Sequence, residues 1–231
     1  MNLKIERYIR SSSKKAKIEK YLFNKILIYT KDPLPEHIDL DSLIHKIEEY
    51  IPKHLFYAID VIIVGEHEDF KKRKINALYK DGAIYVTNEQ DNLRDILDDI
   101  IHELAHSNEE TYRNLIYGDE LLELEFIGKR KRLYHLLKDR IKGLNMKPFL
   151  NPQYSLNFDQ FLLEKVGYKL LRSLTIGLFL NPYAITSLRE YFATGFEEYF
   201  IGNKNNLKTL SPVLFMKLDE LQNYEKGEYF I

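Results

Sequence analysis

Apolar residues along this chain follow two periods, and the change between them divides the sequence. From Asp91 to about Glu110 they fall at Ile96, Leu97, Ile100, Ile101, Leu104 and Ala105, the spacing of one buried helical face, with Asp91 placed to cap it. Before this point the signals are of strands. Ala58 to Val64 is apolar and β-branched and ends at Gly65. Ile75 to Tyr79 and Ala83 to Thr87 flank Lys80-Asp81-Gly82, and Asp-Gly marks a tight hairpin turn. After the motif helix the pattern predicts helices over Glu120–Ile141, Phe158–Phe179, Ser187–Phe200 and Pro212–Gln222, with Pro182 as a break. At the other end, Lys14 to Ile28 reads as a basic helix and Lys31 to Pro35 as a linker. Asp41 is placed to cap a helix running to about Tyr50, with Leu43, Ile44 and Ile47 on one face. The order is a small sheet followed by helices, an α+β layout.

Composition narrows the chemistry. The 231 residues are 45% hydrophobic and 30% charged with a net charge of -1, an ordinary globular balance that gives no general attraction to nucleic acid or to anionic membranes. There is no cysteine, so any metal must be held by His, Asp or Glu. Met1 to Arg10 has no apolar run like that of a secretory signal, and Leu170 to Leu180 is too short to span a bilayer. The expected location is the cytoplasm, with export by a specialised system left open.

The predicted motif helix carries His102-Glu103-Leu104-Ala105-His106, an H-E-x-x-H pattern. Positions four apart share a helix face, so the two imidazoles can bind one Zn²⁺, and Glu103 reaches the water that the metal activates. A third ligand is still needed. The position six residues after His106 is Tyr112, which excludes the metzincin pattern. His135 lies within the basic run Lys129 to Arg132, a stretch that reads as a solvated helix face. A glutamate from a later helix is the better choice: Glu190 is one, with Glu197 and Glu198 competing further along the same predicted helix. Asp98 and Asp99 either orient a ligand imidazole or are solvated residues that favour the helix's first half through its dipole.

Glu190-Tyr191-Phe192-Ala193, with Tyr183 seven residues earlier, together with the H-E-x-x-H segment, resembles the gluzincin metallopeptidases related to the anthrax lethal factor catalytic domain and the Pro-Pro endopeptidases. The resemblance implies a zincin-like fold, with a small twisted sheet over the motif helix and a mainly helical C-terminal half. It also implies one Zn²⁺ per chain held by His102, His106 and Glu190, with Glu103 as general base and Tyr183 stabilising the oxyanion. Asn76-Ala77-Leu78-Tyr79 is similar to the edge strand of thermolysin-like peptidases, which would make Asn76, Ala77 and Tyr79 contacts for an extended peptide or protein substrate. Thr194 and Gly195 replace the more acidic residues often found after the ligand. The stretch from His106 to Glu190 is longer than is usual in the family, which suggests a helical insertion over about 117–180. Residues 1–30 would then be an N-terminal extension and 31–231 the catalytic domain. The competing reading is a zincin-like fold kept as a non-catalytic binding or structural module.

Overall fold

The structure, a computed structural model, describes residues 18–224. It is α+β, and the chain divides into two compact units at Thr111/Tyr112.

The first unit is built on a five-stranded mixed sheet of order β1-β2-β3-β5-β4. Strands β1 (Ile18–Leu22) and β2 (Ile26–Thr30) form an antiparallel hairpin that turns through Phe23 and Asn24, both at positive φ. This replaces the helix expected over Lys14–Ile28, whose first residues lie outside the described range. Ile26-Leu27-Ile28-Tyr29-Thr30 is β-branched and aromatic, and it is paired on both sides, antiparallel to β1 and parallel to β3 (Val61–Val64). Residues 18–30 are therefore part of the sheet rather than an extension to it. Strand β3 is buried along its whole length and runs parallel to β5 (Ala83–Val86), giving the continuous apolar run that a strand covered on both faces requires. Strand β4 (Ala77–Lys80) pairs antiparallel with β5 and forms one edge of the sheet. The predicted tight turn is present: Asp81 and Gly82 have φ of 52° and 82°.

Helix α1 (Leu40–Tyr50) is capped by Asp39, whose carboxylate accepts the Ser42 N–H at 2.9 Å. Asp41, the expected cap, lies in the first turn. A short helix α2 (Glu68–Arg73) has no counterpart among the predicted elements. The motif helix α3 spans Leu93–Thr111. Its cap is Asn92 rather than Asp91, since Asn92 Oδ1 accepts the N–H groups of Arg94 at 2.8 Å and Asp95 at 3.1 Å. The predicted face of α3 (Ile96, Ile100, Ile101, Leu104 and Ala105) is fully buried, and the helix packs on β4 and β5.

The second unit is helical among its described residues. It contains α4 (Arg113–Tyr117), α5 (Leu121–Leu137), α6 (Leu156–Gln160), α7 (Tyr168–Thr175), α8 (Leu188–Ile201), α9 (Lys204–Leu210) and α10 (Pro212–Gln222). The single helix expected over Phe158–Phe179 is broken. After α6 the chain widens into a π turn (Phe161–Val166) and then stops at Gly167, whose φ of 80° no helix accommodates.

The basic run on α5 is the expected solvated face only at Lys131 and Arg132, which are exposed. Lys129 and Arg130 are buried. Lys129 Nζ donates to the carbonyls of Leu178 at 2.8 Å and Leu210 at 2.7 Å, and Arg130 donates to those of Asn151 at 2.6 Å and Pro148 at 2.8 Å. The Arg130 guanidinium also stacks over Phe158, 4.1 Å from the ring centre. Burial pushes Lys129 down to about 8 and Arg130 down to about 10. Glu125, one turn earlier, accepts the Val213 and Leu214 N–H groups at the start of α10 and the Tyr191 hydroxyl at 2.8 Å. Gly195 has a packing reason: a Cβ there would come within 2.2 Å of Leu214 Cδ2. No helix among the described residues is long and apolar enough to cross a membrane.

Candidate metal centre

In the first unit, α3 sets His102 and His106 one turn apart, with ring centroids 4.9 Å from each other and planes at 86°. His106 is buried and its Nδ1 lies 2.7 Å from Glu109 Oε2, with both side chains almost wholly covered. A carboxylate on Nδ1 orients the ring and leaves Nε2 as the nitrogen to face a metal. The sequence does contain this signal, a carboxylate one turn beyond the second His. The sequence offers Asp98 and Asp99 either for such a role or as solvated residues. Asp98 pairs with Arg94 at 2.7 Å, and Asp99 accepts a hydrogen bond from Gln90 Nε2 at 2.9 Å. Near the end of α3, the buried Asn108 amide donates to the Leu55 carbonyl at 2.9 Å and holds the helix in place.

Glu103 is partly buried, and its Oε2 accepts the backbone N–H of Tyr79 at 2.6 Å. The Tyr79 hydroxyl lies 3.4 Å from Glu110 Oε2; burial first, and then the Glu110 charge, pushes this phenol above its ordinary range. Of the three edge-strand residues expected to meet substrate, Ala77 and Tyr79 lie in β4 itself. Asn76 precedes it, and its carbonyl is taken by the Thr87 N–H at 2.8 Å. Alternation along an antiparallel pair therefore turns the backbone groups of Ala77 and Tyr79 outward and those of Asn76, Leu78 and Lys80 inward.

In the second unit, Glu190 sits in the first turn of α8. Ser187 caps that helix by accepting the Glu190 N–H at 3.1 Å, and the Pro152 carbonyl accepts the Leu188 N–H at 2.8 Å. Tyr183 opens the short 3-10 turn before α8 and is half exposed. The turn is closed by Thr186, whose N–H and hydroxyl both donate to the Tyr183 carbonyl. Tyr154, which the sequence reading did not single out, donates to Asp159 at 3.1 Å. Its phenol is pushed up by burial first, then by Asp159, with a contribution from the Glu190 charge.

His102, His106 and Glu190 each offer a ligand atom, these atoms lie within 4.8 Å of one another, and the group could hold a metal ion. Glu197, Glu198 and His135 are not members of it. His135 is exposed on α5, and Glu198 accepts a hydrogen bond from Asn206 at 3.1 Å. Two imidazoles and one carboxylate are the donor set of a hydrolytic Zn²⁺ with one position left open, so the residues present fit that ion. The chain matches no family model, no curated protein and no solved structure.

Proposed function

We propose that this protein is a zinc-dependent endopeptidase of zincin-like fold, with His102, His106 and Glu190 as ligands and Glu103 as general base. The observation that carries the reading is the ligand-capable group of His102, His106 and Glu190, with a carboxylate, Glu103, adjacent in sequence to the first of them.

When bound, Zn²⁺ would supply a Lewis acid and lower the pKa of water toward neutrality. The chain's own residues do the rest. Glu103 takes a proton from the attacking water and returns it to the departing amine. Tyr183 donates a hydrogen bond to the carbonyl oxygen as negative charge develops there. Glu109 keeps the His106 ring in orientation through Nδ1. An extended peptide would pair with the outward groups of β4, the edge strand that α3 packs against.

The test is a peptide-library assay of the zinc-loaded protein beside Glu103→Gln. The reading predicts cleavage by the wild type and a loss of at least about a thousandfold in Glu103→Gln at unchanged zinc content, the scale expected for a base that both accepts and returns the proton. Equal turnover by the two proteins would overturn it. Full zinc with no cleavage of any peptide would favour the non-catalytic binding module.

A further inference from the structure

The contact between Glu103 and strand β4 has a role of its own. We infer that the backbone N–H of Tyr79 is the positioning donor that holds the Glu103 carboxylate, and that a substrate strand must therefore pair along β4 without using this N–H. The inference rests on the peptidase reading for its catalytic consequence, though the bond itself does not.

Three observations support it. Glu103 Oε2 lies 2.6 Å from Tyr79 N, a direct hydrogen bond from strand to helix side chain. Tyr79 stands opposite Ile84 in the β4–β5 ladder, and the bond from the Thr87 N–H to the Asn76 carbonyl fixes the alternation, so its N–H points away from β5. Glu103 also lies on a helix whose buried face packs on β4 and β5, so donor and acceptor belong to two rigid, mutually packed elements. A glutamate has three rotatable side-chain bonds. One fixed donor on Oε2 removes much of that freedom and leaves Oε1 for the proton.

The substrate consequence is specific. With the Tyr79 N–H engaged, the outward groups left to an incoming peptide are the N–H and C=O of Ala77 and the C=O of Tyr79. Side-chain identity at 79 does not matter to the bond, and proline is the one residue that abolishes it. Because this N–H takes no part in the ladder, proline is tolerated there as it is on the open side of edge strands.

The experiment has two arms. In metal-free protein, the Tyr79 amide is followed by NMR in wild type and Glu103→Ala. The inference expects the amide proton to move upfield and to exchange at least about tenfold faster in the variant. An unchanged shift and exchange rate would overturn it, whatever the protein does to peptides. In zinc-loaded protein, Tyr79→Pro is compared with Tyr79→Ala, which loses the same side chain but keeps the N–H. The expectation is a kcat for Tyr79→Pro at least about tenfold below that of Tyr79→Ala, with equal zinc and a smaller change in KM. Equal kcat in the two would overturn the positioning role.

Discussion

The two units bury different kinds of side chain. Up to Thr111, the buried polar residues described are Thr30, Thr87, Gln90, His106, Ser107 and Asn108, none of them a lysine or arginine. After Tyr112, the described interior holds Lys129, Arg130 and Lys217, each donating to backbone carbonyls left over where helices and turns end. The sheet unit satisfies its backbone through strand ladders, whereas the helical unit, broken at Gly167 and at several short turns, brings in long cations to do so. A buried cation that donates to carbonyls is costly to remove, because each acceptor loses a charged donor.

The largest effect expected from this contrast is at Arg130. Arg130→Met should destabilise the second unit by about 3 kcal/mol, since two carbonyls lose a charged donor and the stacking over Phe158 is lost, whereas Lys131→Met on the exposed side of α5 should stay within about 0.5 kcal/mol. Urea unfolding of the two variants checks this; similar values would mean that the burial of Arg130 contributes nothing. Next in size is Gly195→Ala. The new methyl collides with the fully buried Leu214, so a loss of about 1–3 kcal/mol is expected, despite alanine's better helix propensity. A thermal melt showing stabilisation would refute the close packing of α8 on α10.

The smallest effect concerns pH. Lys129 has its folded pKa lowered to about 8 from 10.5, so the folded state releases this proton first. The protonated cation's burial penalty is fully present below pH 8, and stability from this group rises as pH climbs between about 8 and 10.5. Wild-type unfolding free energy should therefore gain on that of Lys129→Met over this window. A flat difference would contradict the assignment.

The same contrast explains what could be read from the sequence. The reading succeeds where one local signal decides the structure: apolar periodicity for the face of α3 from Ile96 to Ala105 and for the span of α10, and turn chemistry for the Asp81-Gly82 hairpin. It fails where local and long-range signals compete. Lys14 to Ile28 has a helix-like composition, but Ile26 to Thr30 has strand partners on both sides, and only tertiary pairing reveals them. Lys129 and Arg130 look solvated because their acceptors, Leu178, Leu210, Asn151 and Pro148, are distant in sequence. Caps were missed by one or two residues, Asp39 for Asp41 and Asn92 for Asp91, because each helix start offers more than one residue able to cap it.

At the candidate site, the pairing of His102 with His106 was legible from local spacing alone, since one helix turn contains them both, with Glu103 between them. Glu190 needed the resemblance, because nothing in its own helix distinguishes it from Glu197. Glu109 and the Tyr79 N–H were missed: the first is one of many carboxylates on α3, and the second is a backbone group with no sequence signature.

The most direct test of the proposed centre is the metal content of the purified protein, wild type beside Glu190→Ala and Glu197→Ala. The account predicts one zinc per chain in the wild type, retained in Glu197→Ala and lost or strongly weakened in Glu190→Ala. Zinc binding unaffected by Glu190→Ala, or no zinc in the wild type after reconstitution, would contradict it.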